Sequence, residues 1–332
     1  MATKTLNENI NQAINDFKGV KQAIIDKGVE IPSGTPTSEY GTKISEIQSG
    51  GGDEYVIKNF KYFCYRGNRV DELEMIDTSQ ATEFTGMFSD STSLTAVPKF
   101  DTSSGTNFDY MFYSCQGLTT IPQLDTSSGT NFCYMFYNCQ KLTTIPPLNM
   151  SQGTNFNNMF YYCQKLTTIP PLNTSQGTNF NYMFSSCSYL TTIPQLDTSK
   201  GKYFERMFYN CTRLTTIPPL NTSQGTNFNY MFHYCKKLAT IELSSFTSAT
   251  NMFGTCESLE NLTVTGTITV SNNYLNLSSS TKLTVDSLLS VLNALADNTG
   301  KTKYTITLGS TNLAKLTDEQ KAIATNKNYT LA

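Results

Sequence analysis

The chain has 332 residues, 24 Lys and Arg against 26 Asp and Glu, a formal net charge of −2, and only 15% charged residues, where soluble domains average roughly 25%. Its near-neutral balance argues against the basic footprint that nucleic acid or an anionic membrane demands. No apolar run approaches the roughly 20 residues of a membrane span, and the opening residues do not read as a secretory leader, so secretion by the ordinary route is not expected.

The first element is a helix. Thr5-Leu6-Asn7-Glu8 makes a capping box, and Leu6, Ile10, Ala13, Phe17, Val20 and Ile24 follow in steps of four and three, the a and d positions of nearly three heptads. Gly28 provides the C-cap, and Thr35-Pro36 opens a second short helix carrying Tyr40, Ile44 and Ile47. Gly50, Gly51 and Gly52 then uncouple these helices from the remainder of the chain. The stripe either folds back on its own domain or pairs with other chains. Its narrowness and the glycine break favour a homo-oligomer, with a trimer expected because Phe17 at a and Ala13 at d depart from the dimer pattern. The division expected is 1–49 for oligomerisation, 50–52 as linker, 53–265 as solenoid and 266–332 as a C-terminal cap.

Met-Phe recurs every 24 residues from Met87-Phe88 to Met231-Phe232, and once more after 21 at Met252-Phe253. A fixed period of this length means units that cannot bury their apolar face alone and must stack. In the unit from Leu166 to Cys187, Phe180, Met183, Phe184 and Cys187 fall at i, i+3, i+4 and i+7. That spacing predicts a short helix with Thr178 or Asn179 as N-cap. Leu166 to Ile169 reads as a strand ended by Pro170, which cannot donate to a ladder. Asn173, or Asp197 in the next unit, followed by Thr-Ser makes an Asx turn.

After Cys256 the units degenerate. Leu262–Val264 and Ile268–Val270 alternate as strands, and a helix from Asp286 carries Leu288, Val291, Leu292 and Leu295 on one face. Tyr304, Ile306 and Leu308 alternate as a strand, Thr317 to Gln320 is a capping box ahead of Ile323, and Tyr329–Leu331 closes as a strand. These elements are expected to seal the open end of the solenoid.

Chemistry is sparse along this frame. His233 is the single histidine, standing where other units carry Tyr113, Tyr137, Tyr161 or Tyr209, and is expected to be an exposed substitute rather than a base. Asp101, Asp125 and Asp197 alternate with Asn149, Asn173 and Asn221 at one rung, too dilute for a calcium ladder. Cys115, Cys139, Cys163, Cys187, Cys211, Cys235 and Cys256 share one buried position, with Ser91 in the first unit, and no pair has C-x-x-C spacing. Their parallel Cβ vectors predict a reduced ladder, from which assembly in a reducing cytoplasm is expected. Neither metal nor cofactor is expected, and no catalytic residue.

On a helical wheel the positions two, five and six after the buried Phe point outward. They hold Tyr110, Tyr134, Tyr182 and Tyr230, then Tyr113, Tyr137, Tyr161, Tyr209 and His233, then Tyr162 and Tyr234. This is the candidate binding face, for host glycan or protein or for a neighbouring subunit, set against simple packing between adjacent coils. The threonine pairs Thr119-Thr120 through Thr215-Thr216 line the opposite side.

The string Met-Phe-x-x-Cys-x-x-Leu-x-x-Ile-Pro-x-Leu-Asp/Asn-Thr-Ser over about 73–262 resembles the BspA-type leucine-rich repeats of bacterial surface proteins and of phage tail or fibre proteins. The resemblance implies an α/β solenoid of parallel strand-helix coils used in surface attachment, and no reaction. The N-terminal helix, its Ile-Pro-Ser-Gly-Thr-Pro turn and the Tyr-x-x-x-Ile-x-x-Ile continuation resemble N-terminal segments of phage tail and fibre proteins. Together they imply a non-enzymatic virion protein docked to other virion proteins through its N-terminus. The rival expectation is a bacterial cell-surface adhesin.

Overall fold

The computed structural model describes residues 59–67, 70, 73 and 76–332. The N-terminal helices, the stripe of Leu6, Ile10, Ala13, Phe17, Val20 and Ile24, and the glycine linker lie outside the described residues.

The repeats stack as a solenoid with a continuous apolar interior. Phe180, Met183, Phe184, Cys187 and Leu190 are fully buried, as are their counterparts one coil on, Phe204, Met207, Phe208, Cys211 and Leu214. Two phenylalanine columns run the length of the stack. Phe108 lies 5.7 Å from Phe132, and Phe112 lies 5.4 Å from Phe136, with ring planes within 4° of parallel. Coils set about 4.8 Å apart bring like rings into offset stacking range.

The inward residues are the expected ones, but the expected helix is absent. The amides of Phe180, Tyr182, Phe184 and Ser186 donate to the carbonyls of Tyr203, Glu205, Met207 and Tyr209 in the next coil, at 2.7 to 2.9 Å. The intervening amides of Met183, Ser185 and Cys187 donate back to Phe180, Tyr182 and Phe184 at 3.1 to 3.2 Å, closing successive turns. With alternate N–H groups committed to the neighbouring coil, no bond to residue i−4 forms. Tyr182 and Ser186 take φ of 57° and 60°, as Tyr110, Ser114, Tyr134 and Asn138 do in other coils. A turn spiral with one left-handed residue in four repeats every four residues, which over two turns places the same side chains inward as a 3.6-residue helix. Each such non-glycine residue costs roughly 1 to 2 kcal/mol locally, offset by the bond its amide makes between coils. Thr178 and Asn179 cap nothing. Thr178 donates to the Thr154 carbonyl, and the Asn179 Oδ1 accepts from the Asn181 amide at 3.1 Å.

The expected strand at Leu166 to Ile169 is likewise reduced to a rung, one bond from the Thr167 amide to the Thr143 carbonyl at 3.0 Å. Pro170 and Pro171 remove the donors that would extend it. Where Glu242 follows Ile241 instead of proline, a strand appears. This is β1 (Thr240–Leu243), parallel to β3 (Asn261–Val264), with β2 (Phe246–Thr247) parallel to β4 (Ile268–Thr269). The Asx turns form as expected, the Asp197 carboxylate accepting from the Ser199 amide at 3.0 Å and Asn173 from Ser175 at 3.2 Å. The buried threonine beside each turn links coils, Thr174 donating to the Asp197 carbonyl at 2.8 Å and Thr198 to that of Asn221 at 2.9 Å.

The C-terminal elements follow the sequence closely. Helix α1 (Val285–Ala294) is N-capped by Thr284, β5 (Tyr304–Ile306) pairs in parallel with β6 (Tyr329–Leu331), and α3 (Asp318–Thr325) starts in the expected capping box of Thr317 and Gln320. A one-turn helix α2 (Ser310–Leu313) lies between them, entered through Gly309 at φ 78°. Its buried Asn312 amide donates to the carbonyls of Leu277, Ser280 and Leu308. The cap meets the solenoid through serine hydroxyls of α1. Ser287 Oγ accepts from the Leu262 amide at 3.0 Å and Ser290 Oγ from the Val264 amide at 2.9 Å.

Candidate recognition surface

The aromatic residues singled out by sequence do share one side of the coil, but they do not stand out into solvent. Tyr110, Tyr113, Tyr134, Tyr137, Tyr161, Tyr182, Tyr209, Tyr230 and His233 are half-buried, while Tyr162 and Tyr234 reach 37% and 39% exposure. The helical wheel misjudged them because the turn spiral lays these rings along the stack, each covering the rung beside it. Tyr110 stacks on Tyr134 and Tyr113 on Tyr137, both at 4.7 Å, and Tyr137 on Tyr161 at 5.0 Å. Burial pushes the phenols of Tyr110, Tyr113, Tyr134 and Tyr137 above the ordinary range, so they stay protonated donors at any physiological pH.

Beyond Tyr161 the column breaks. The next rung holds Ser185, and the neighbouring column passes from Tyr134 through Asn158 to Tyr182 and then Arg206. The Arg206 guanidinium lies 5.3 Å from the Tyr182 ring, 4.7 Å from that of Tyr230 and 5.9 Å from that of Tyr209. It donates to the Tyr182 hydroxyl and pairs with Glu205 Oε1 at 3.2 Å. Asn227 donates to the other carboxylate oxygen at 3.1 Å. A cation held among three ring faces in a partly dry setting is worth about 0.5 to 2 kcal/mol per contact. Sequence reasoning passed over Arg206 and Glu205. The signal was available, since Arg206 is the one charged residue at its rung and Glu205 stands where the neighbouring coils carry Asn181 and Asn229.

His233 is half-buried rather than exposed, stacked 5.6 Å from Tyr209 and packed edge-on against Tyr230 and Tyr234. Its ring leans over Gly254, where a Cβ would stand 2.1 Å from Nδ1. Burial, then the Arg206 charge, holds its pKa below the usual histidine range. The imidazole therefore continues the aromatic column as a neutral ring.

None of the eight cysteines from Cys115 to Cys256 is in a disulfide. In the ladder each thiol donates to a carbonyl of the preceding coil, Cys163 to Phe136 at 2.9 Å and Cys187 to Phe160 at 3.1 Å. Ser91 does the same with its hydroxyl toward Cys64, at 3.1 Å. Among the described residues no group of three or more His, Cys, Asp or Glu side chains could hold a metal ion. No helix among them is long and apolar enough to cross a membrane.

The family model described as "Mycoplasma protein of unknown function, DUF285" matches residues 58–170 and again 143–246. Solved structures similar to the chain include the Treponema pallidum leucine-rich repeat protein, at 17% identity and a TM-score of 0.35 over 58% of this chain and 78% of that one. Toll-like receptor 13 in its complex with ssRNA13 matches at 13% identity and a TM-score of 0.30, over 81% of this chain and 41% of the receptor. No curated protein matches.

Proposed function

From the premise that this chain belongs to the DUF285 family, a BspA-like family of Mycoplasma proteins of unknown function, we propose that it is a non-enzymatic attachment protein whose solenoid is presented at a surface to bind a host or neighbouring-cell ligand. The observation that carries this reading is where the repeats vary. Inside, Phe, Met, Phe, Cys and Leu recur coil after coil. Along the half-buried aromatic side, by contrast, one rung runs Tyr110, Tyr134, Asn158, Tyr182, Arg206, Tyr230. A constant core under a changing face is the layout of a binding scaffold.

Within this reading the chain is a homo-oligomer, a trimer by preference, joined through Leu6, Ile10, Ala13, Phe17, Val20 and Ile24. A virion fibre or decoration protein is the carrier that the sequence resemblance of residues 1–49 supports. The family match supports a bacterial surface instead. Fluorescently labelled full-length chain should bind bacterial or host cells saturably, and unlabelled chain should compete. Retention on neither kind of cell overturns the attachment reading. Replacing Ile10 and Phe17 with Asp should dissociate the oligomer in light scattering with the circular dichroism of the solenoid unchanged.

A further inference from the structure

One corner of the coil carries a charge pattern that the overall balance conceals. Lys141, Lys165, Tyr189, Arg213 and Lys237 are spaced 24 residues apart and occupy the same rung of five successive coils, with Lys236 beside the last. The four cations of that rung and Lys236 are exposed. Lys141 and Lys165 are the only charged residues between Asp125 and Asp197. None of Lys141, Lys165, Arg213, Lys236 or Lys237 forms an ion pair among the described residues, where the pairs are Arg206 with Glu205 and Lys321 with Asp318. The stripe ends where the following coil brings in Glu257 and Glu260.

Tyr189 organises its centre. The Lys165 ammonium lies 4.4 Å and the Arg213 guanidinium 3.9 Å from the centre of the ring, one from the coil before and one from the coil after, and Lys165 also donates to the phenol oxygen at 3.3 Å. Two long side chains are thereby held in line, which lowers the ordering cost of binding. The local field is cationic, since the hydrogen bond and charge of Lys165, then the Arg213 charge, hold this phenol below its ordinary range with no carboxylate opposing. Beside the stripe, Thr143, Thr144, Thr167, Thr168, Thr191, Thr192, Thr215 and Thr216 are all exposed. At about 4.8 Å per coil, Lys141 to Lys237 spans about 19 Å, the reach of a chain segment rather than of one small anion.

We infer that this stripe binds an acidic polysaccharide laid along the solenoid axis, its sulfate or carboxylate groups against Lys141, Lys165, Arg213 and Lys237 and its hydroxyls against the threonines. The inference rests on the attachment reading for its biological setting and gives it a ligand class. A polysaccharide fits better than a single-stranded nucleic acid, because nucleic-acid grooves pair cations with ring faces open to base stacking, and both faces of Tyr189 are already taken by cations. The low net charge of the molecule is no obstacle, since exposed charges act over about a Debye length, roughly 8 to 10 Å.

Biolayer interferometry of the full-length chain against heparin, polygalacturonate, neutral dextran and polyuridylate tests this. Binding to heparin or polygalacturonate that weakens with salt, with none to dextran, supports the stripe and tells sulfate from uronate. The triple change Lys141→Gln, Lys165→Gln and Arg213→Gln should weaken that binding by about tenfold or more, the combined effect of three exposed charge contacts. Removing three charges elsewhere, Lys99→Gln, Lys200→Gln and Lys202→Gln, should leave it nearly intact. Lys141→Arg with Lys165→Arg should retain it. No binding to either acidic glycan, equal losses in the two triple variants, or tighter binding of polyuridylate overturns the inference. Cell binding measured in parallel separates the two readings. Glycan binding without cell attachment sinks the attachment reading alone, and cell attachment without glycan binding sinks the stripe alone.

Discussion

At the scale of single residues, the inside and outside of one spiral differ in what a truncation removes. Phe184 is fully buried between Phe160 and Phe208, at 5.6 and 5.7 Å. Phe184→Ala should lower unfolding free energy by about 3 to 5 kcal/mol in urea titration. Tyr182→Ala, on the half-buried aromatic side, should cost clearly less, and equal losses would reverse the assignment of faces. The thiol ladder makes a pH prediction. Burial pushes Cys115, Cys211 and Cys256 up to about 12, and Cys139, Cys187 and Cys235 well above their ordinary value. Unfolded thiols ionise from about pH 9, so between about 9 and 12 the unfolded chain has lost protons that the folded one keeps. Stability is thus unaffected below about 9 and falls as pH rises, by up to about 1.4 kcal/mol per pH unit for each such thiol. Melting temperatures measured across this range should drop more steeply than those of a Cys211→Ala, Cys235→Ala variant, which keeps four of these six thiols, and parallel curves would contradict the buried ladder.

At the scale of the element, the coil shows what periodicity can and cannot reveal. The inward set of Phe180, Met183, Phe184 and Cys187 was legible, because burial selects apolar residues whatever the backbone does. The backbone was not, because a four-residue turn spiral and a 3.6-residue helix choose the same positions over two turns, and the partners that decide between them lie in the next coil. The Asx turn at Asp197 and the capping box at Thr317 were legible for the opposite reason, their bonds being local. The same limit governed the candidate face. The eleven side chains proposed for it do share one side, yet stacking between coils took much of their surface, and the Arg206 cluster and the cationic rung appear only when the repeats are aligned coil on coil. The recurrent interior of the turn gives a further prediction. Gly177 is buried where a Cβ would lie 2.5 Å from the Phe180 ring and 2.9 Å from the Thr174 carbonyl, so Gly177→Ala must push that ring from its column. Thr174→Val keeps the shape and deletes only the bond to Asp197, and should cost about 1 kcal/mol. In chemical denaturation the glycine change should be the larger, and the reverse order would show the ring to be movable.

At the scale of the whole molecule, stability is a sum over neighbours, and the ends matter most. Alanine at both Ser287 and Ser290 leaves the Leu262 and Val264 amides without acceptors. Each buried unsatisfied donor costs about 1 to 3 kcal/mol, so hydrogen exchange of these two amides should accelerate well before that of the central coils. Uniform acceleration throughout would instead mean that the stack melts as one block. The need for acceptors at this end has a deeper origin. On the spiral side the inter-coil amides point toward the C-terminal neighbour, as Phe108, Tyr110, Phe112 and Ser114 do toward Asn131, Cys133, Met135 and Tyr137, outnumbering the one or two per coil that point back, such as Thr130 toward Thr106 and Thr119 toward Thr95. Peptide dipoles of about 3.5 D therefore add along the axis instead of cancelling as in an ordinary sheet. The stack is electrically directional, positive toward its C-terminal end, with one end face built to accept hydrogen bonds and the other to donate them. Two bare stacks would join head to tail into a filament and never head to head, and Ser279, whose Oγ accepts from the Thr255 amide of the last spiral at 3.0 Å, occupies the donor face where such growth would begin.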